Sequence, residues 1–221
     1  MNDVTVVITS CGRVNLLRET IDSFITFNTY NIAEIILIDD SGDPKVHSEI
    51  KKLYPNFILI FNDKRIGQIK SIDKAYSYVK TPYIFHLEDD WKFYRRSFIE
   101  DSLKILQSDK QIITVWLREL NDTNKHPYHE KLHTISNVNY HEIEINWNGG
   151  WSGFTFNPGL RRFSDYKLVY PYEKYIPENK QHIKYYTPEL ELSMYYNKLG
   201  YKAVIATPGY VKHIGWNSHI N

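Results

Sequence analysis

The segment Tyr83-Ile84-Phe85-His86-Leu87-Glu88-Asp89-Asp90-Trp91 passes from an apolar run directly into three carboxylates. Pro82 precedes it, and its aromatic and aliphatic residues predict a short buried strand over Tyr83 to Leu87. Three like charges at the end of such a strand repel one another unless a positive species lies between them. A hard divalent cation, Mn²⁺ or Mg²⁺, meets that need, since it takes carboxylate and phosphate oxygens together. Acidic residues also favour helix N-termini, so a solvated acidic turn is the plainer alternative.

Working outward toward the N-terminus, three more strands are predicted at Val4 to Thr9, Glu34 to Ile38 and Phe57 to Phe61. Between them, apolar residues recur at helical spacing, as in Leu17, Ile21, Phe24 and Ile25, and again in Ile69, Ile72, Ala75, Tyr76 and Val79. Strands alternating with helices imply crossover units, hence an α/β fold with a Rossmann-like, mostly parallel sheet flanked by helices. Ligands of such sheets bind beyond the carboxyl ends of the strands. The exits Thr9 to Arg13, Asp39 to Asp43 and Glu88 to Asp90 therefore form one candidate site.

Toward the C-terminus a helix is predicted near Ser97 to Gln107 and a strand near Ile112 to Leu117, with an irregular stretch from Arg118 to about Tyr140. Trp147 to Gly153 reads as a glycine-rich loop edged by indoles, followed by a short strand and a helix starting near Pro158. Thr187-Pro188-Glu189 is a helix start with Thr as cap and Pro in the first turn, and Gly200 marks its end. A last strand, Lys202 to Thr207, leads to Tyr210 to Trp216.

The 221 residues carry 27 basic and 26 acidic side chains, so no whole-molecule field favours nucleic acid or an anionic membrane. Cys11 is the one cysteine, which excludes an intramolecular disulfide and fits a reducing, cytoplasmic setting. No apolar stretch approaches the ~20 residues of a membrane helix, so a soluble chain with no transmembrane segment is expected. The 18 Tyr, 10 Phe and 5 Trp supply rings for a core and for stacking on sugars.

Val4 to Gly12, Ile35 to Asp40, Asn62 to Gly67 and Tyr83 to Asp90 together resemble the GT-A glycosyltransferases, especially the family 2-like group in its compact single-domain form. The resemblance implies a GT-A fold with a small second sheet. It implies one domain over residues 1–221, with a nucleotide-sugar-binding half over 1–90 and an acceptor and catalytic half over 91–221. It further implies a UDP-sugar donor, a carbohydrate or glycoconjugate acceptor, no nucleic-acid partner, and Mn²⁺ or Mg²⁺ as cofactor. Carried over by residue, Thr9, Ser10 and Arg13 flank the nucleotide, Asp40 the uracil or ribose, Arg65 and Gly67 the donor region, and Asp89 the ribose or sugar. Asp90 and Glu88 match the outer positions of the metal motif. Many relatives have Asp where this chain has Glu88, which leaves Asp90 as the principal ligand.

The resemblance returns at Glu189 to His213. Pro188-Glu189-Leu190-Glu191 is similar to the family segment whose acidic residue takes the proton from the acceptor hydroxyl, and Glu189 aligns with that base. Glu191 is its neighbour, and either residue also suits the positive end of a helix. His213 stands where many relatives supply a histidine to the metal or diphosphate. Trp147 and Trp151 bound a loop that can serve as an acceptor contact or a lid, or form a fixed hairpin with packed indoles.

Two alternatives belong beside this reading. His129-Glu130-Lys131-Leu132-His133 spells the His-Glu-any-any-His pattern of zinc hydrolases, which needs a sustained helix to bring His129 and His133 together around Glu130. Pro127 before it and Thr134 to Asn139 after it favour strand or turn instead. The other alternative is a nucleotide-sugar-binding module without catalysis.

Overall fold

Strand β1 (Val4–Ser10) is buried along its whole length at the centre of the main sheet. In the computed structural model, which describes residues 2–177 and 187–216, its neighbours are β2 (Glu34–Asp39) and β4 (Tyr83–Glu88), both parallel to it. Parallel β3 (Ile58–Phe61) lies beyond β2, and antiparallel β9 (Gly159–Arg162) beyond β4, giving the order β3-β2-β1-β4-β9. Helices α1 (Val14–Phe27), α2 (Pro44–Leu53) and α3 (Gln68–Tyr76) are the crossovers. Asp43 starts α2 by accepting the Lys45 amide at 2.8 Å, with Pro44 in the first turn.

The two-residue period of the strands divides the core. Val4, Val6 and Ile8 join Leu37, Phe85 and Leu87 against α1 and α4 (Phe98–Ser108). Val7 joins Ile36, Ile38, Ile60 and Ile84 against α3 and α6 (Pro188–Lys198). Each fully buried side chain of this kind contributes about 1.5–3 kcal/mol. Register sets Thr9 opposite Glu88 and Ser10 opposite Asp39, so the strand exits converge.

A second sheet has the order β6-β10-β8-β7, formed by β6 (Ile112–Trp116), β10 (Lys202–Thr207), β8 (Val138–Glu142) and β7 (His133–Ile135). Only β6 and β10 are parallel within it. A third pair joins β5 (Trp91–Phe93) to β11 (Val211–His213), which carries the far end of the chain back to the acidic exit of β4. Among the described residues no helix is long and apolar enough to cross a membrane.

Two local expectations need correction, and one is met. No helix begins near Pro158: residues 159–162 pair with the edge of β4, and the helix, α5 (Phe163–Leu168), starts afterwards. A side chain at Gly159 would meet the Val115 carbonyl at 2.8 Å, so this backbone packs directly on β6. Thr187 makes no side-chain cap bond to α6. The segment holding His129, Glu130 and His133 is not helical, and β7 begins at His133. His129 Nε2 lies 3.4 Å from Glu144 and His133 Nε2 4.0 Å from Glu142, so the two histidines have separate partners.

Candidate functional site

Beyond the carboxyl ends of β1, β2 and β4 lies a cavity of about 550 Å³. Thr9, Ser10, Arg13, Asp40, Arg65, Glu88, Asp89, Asp90, Glu189 and His213 all line it. Residues from both halves of the chain thus contribute to its lining.

Its floor is a charge network centred on Arg13. Asp89, almost wholly buried, accepts the Ser10 hydroxyl at 2.9 Å and pairs through both oxygens with the Arg13 guanidinium. Burial raises the Asp89 carboxyl to about 6, with Arg13 restraining the rise. Asp90 Oδ2 meets Arg13 Nη1 at 2.9 Å and His213 Nε2 at 3.2 Å. Burial alone would raise the Asp90 carboxyl, but His213 and Arg13 outweigh it and hold the group below its ordinary value. Glu88 takes no part in this contact. Its oxygens accept from Gln68 Nε2 at 2.8 Å and from the Trp91 indole at 3.4 Å. Withdrawal from water, and then the nearby Asp90 and Glu189 charges, push the Glu88 carboxyl well above the usual carboxylate range.

The His213 ring is set between Trp91, at 5.0 Å, and Trp216, at 4.6 Å. The Ile214 amide donates to the Asp90 carbonyl at 2.9 Å, and a Cβ on Gly215 would lie 2.5 Å from Asp90 Oδ2. Glycine at 215 thus lets the chain close over the carboxylate. Gly215→Ala is expected to destabilise the fold by about 1–3 kcal/mol through overpacking, read as a lower urea midpoint. An unchanged midpoint would mean that Asp90 yields freely.

The second strand exit shapes loops. Asp40 accepts Asn62 Nδ2 at 2.8 Å and the Ile66 and Gly67 amides at 2.9 and 2.8 Å. Gly67, at φ 93, adopts a backbone that a side chain would strain. Asp39 performs the same service for the first loop by accepting the Gly12 amide at 2.9 Å. Asp40 and Gly67 thus hold the Arg65 loop against the cavity.

Glu189, in the first turn of α6, lines the same cavity. Its Oε1 accepts the Thr155 hydroxyl at 2.7 Å and the Phe156 amide at 2.6 Å. Burial raises its carboxyl, and these two donors, then Arg161 and Arg118, moderate the rise. Glu191 is half-buried in the same turn and does not line the cavity. Neither do Trp147 and Trp151, whose backbones bond to each other at 2.9 and 2.8 Å and whose rings pack on His126 at 4.8 and 5.0 Å. That loop is a hairpin with its indoles committed to one another and to a buried histidine.

Several lining residues escaped the sequence reading, among them Gln68, Arg118 and Asn157. Arg118, two residues after β6, is only 4% exposed, with Nη2 at 2.8 Å from Asp122 and its guanidinium 5.1 Å from the Trp91 ring. The strand-exit rule that selected Thr9 and Asp90 applies equally to Arg118, had it been extended to the fifth predicted strand.

The family model described as glycosyl transferase family 2 matches residues 5–169. No curated protein matches the chain by sequence. Among solved structures, GalNAc-T7, crystallised with UDP, GalNAc and Mn²⁺, superposes with a TM-score of 0.67 at 16% identity, over 99% of this chain and 45% of that one. TarS residues 1–349 of S. aureus superposes at 0.60 and 12% identity, over 95% of this chain and 59% of that one. The chain thus spans about half the length of these structures, and at such identities they report on fold, which is GT-A. With the family model covering 5–169, from the first strand through α5, the chain belongs to glycosyl transferase family 2.

Proposed function

We propose that the chain transfers a hexosyl group from a UDP-linked donor to a hydroxyl on a glycan, protein or lipid, with inversion at the anomeric carbon. The observation that carries this reading is that one cavity is lined by Glu189 together with the Asp90–His213 contact. Transfer with inversion needs a base on the acceptor side and charge compensation on the leaving-group side, and the cavity offers one of each. Support also comes from GalNAc-T7, crystallised with UDP and Mn²⁺.

Asp90 and His213 are the residues that would hold Mn²⁺ or Mg²⁺. Among the described residues no group of three or more His, Cys, Asp or Glu side chains is disposed to hold a metal. Two protein donors nevertheless fit these ions, which bind through one or two side chains while phosphate and water oxygens complete the shell. When bound, the ion neutralises charge developing on the leaving nucleoside diphosphate. The remaining steps belong to the chain itself. Ser10 and Arg13 hold Asp89, which orients the donor's ribose or sugar, and the Arg65 loop, shaped by Asp40 and Gly67, covers the nucleotide. Thr155 and Phe156 fix one oxygen of Glu189, which accepts the acceptor proton as the hydroxyl attacks. In this reading residues 1–90 form the donor half and 91–221 the acceptor and catalytic half of one domain, with His213 returning to the donor side.

A thermal-shift screen with UDP, GDP and UDP-sugars, each with and without Mn²⁺, tests the proposal. UDP at 100 times its Kd stabilises the folded state by about 2.7 kcal/mol through mass action. Stabilisation that needs UDP and Mn²⁺ together is expected. A response to Zn²⁺ alone, or none to any nucleotide, would overturn it.

A further inference from the structure

Arg161 occupies a place that strand alternation assigns to the core. Leu160, before it, enters the α1 and α4 side, while Arg161 is 1% exposed beneath the rings of Phe154 and Phe156, at 5.3 and 5.7 Å from its guanidinium. Nη2 donates to the Thr155 carbonyl at 3.1 Å. Nε and Nη1 are buried without a hydrogen-bond partner, and among the described residues no carboxylate forms an ion pair with it. Burying a guanidinium that forms no ion pair is unfavourable, and an aliphatic side chain at 161 would avoid that cost.

What this cation holds is the support of Glu189. Its hydrogen bond to the Thr155 carbonyl fixes the residue whose hydroxyl, together with the next amide, grips Glu189 Oε1. The groups that feel Arg161 from other elements are the Glu189 carboxyl of α6 and the buried Tyr76, His86, Tyr172 and Tyr196. His86 of β4 bonds to Tyr76 of α3 at 2.9 Å, and burial, then the Arg161 charge, holds its imidazole well below the ordinary value. Tyr172 and Tyr196 complete the surround, with hydroxyls 3.2 Å apart. Glu88 and Arg118 are the other charged groups that act on Glu189.

We propose that Arg161 is the positioning residue of the base. From inside the core it fixes the Thr155 carbonyl, so that the Thr155 hydroxyl and Phe156 amide immobilise Glu189 Oε1 and leave the second oxygen for the acceptor proton. This rests on the reading of Glu189 as base. The positive charge also favours the ionised carboxylate that a base requires.

The test uses the full chain with Arg161→Met, Arg161→Lys and Thr155→Val. Turnover is read as UDP release with Mn²⁺ from UDP-glucose, UDP-galactose and UDP-N-acetylglucosamine, taking the donor the wild type uses. Arg161→Met is expected to lower kcat by roughly 100-fold, the scale of a 1 Å misplacement. Donor KM and calorimetric UDP affinity should stay within about two-fold, since the donor end is untouched. The acid limb of kcat should move to higher pH in Arg161→Met and stay in place in Arg161→Lys, which keeps the charge. NMR titration of the Glu189 carboxyl reads the same shift without turnover. Thr155→Val removes the hydroxyl at constant volume and decides the matter should Arg161→Met fail to fold: its kcat should fall with UDP affinity retained. An unmoved limb in Arg161→Met, or a kcat loss that only tracks lost UDP affinity or lost stability in either variant, makes Arg161 a packing residue and ends the proposal. If Glu189→Gln turns over normally, the base assignment itself has failed, a result the Arg161 variants cannot mimic.

Discussion

Glu189→Gln is expected to lower kcat by roughly 100- to 10,000-fold, the range assigned to loss of a general base. The substitution keeps the shape and an acceptor oxygen for the Thr155 hydroxyl and Phe156 amide, which meet Oε1 at 2.7 and 2.6 Å. Asp90 and His213, the residues proposed to hold the ion, are unchanged in this variant, so calorimetric affinity for UDP with Mn²⁺ should be retained. The wild type should also show its base in the pH profile. Burial raises the Glu189 carboxyl above 4.5. A protonated carboxyl cannot take the acceptor proton, so kcat should fall as pH drops through that raised value, on an acid limb above that of an unperturbed glutamate. The limb should vanish in the Gln variant. Undiminished turnover by Glu189→Gln would place the base elsewhere.

Asp90→Ala is expected to weaken Mn²⁺-dependent UDP binding by roughly 100-fold or more, since residues that merely support a ligand already cost 10- to 100-fold. The fold should survive. Arg13 loses the 2.9 Å contact to Asp90 but keeps Asp89, and its side chain is 20% exposed, so no uncompensated charge is sealed in the core. His213 loses its 3.2 Å partner while its ring stays packed on Trp91. Titration calorimetry with UDP, in Mn²⁺ and in EDTA, checks the expectation. Equal affinity for the variant and the wild type in Mn²⁺ would remove Asp90 from the metal site.

The first four strands were legible because their cause is local. Val6, Val7 and Ile8, Ile36 to Ile38, and Ile84 to Leu87 are short apolar runs ending in polar turns, and helical spacing lies between them. Parallel pairing then follows from the alternation, and with it the rule that places Arg13, Asp39 and Asp90 at one edge. The stretch after Arg118 was read less well because its form comes from distant partners. Gly159 to Arg162 becomes a strand by pairing with Tyr83 to His86, and nothing within four residues announces that edge. Asp40 shows the limit in another way: its position was readable, but its bonds to Asn62, Ile66 and Gly67 identify it as the clamp of a loop.

By itself the sequence determined the α/β class, the parallel pairing in the N-terminal half and residue types suited to a nucleotide-sugar site, because periodicity and strand exits are properties of contiguous residues. Only the tertiary structure decided which of those groups meet. It brought His213 onto Asp90 through the β5–β11 pair, set Glu189 against Thr155 and Phe156, turned Trp147 and Trp151 onto His126, and buried Arg161 behind Glu189. Apart from the Arg161–Thr155 bond, six positions apart, these contacts join residues from 21 to 123 positions apart, where packing and charge compensation act between elements and leave no periodic trace in the chain.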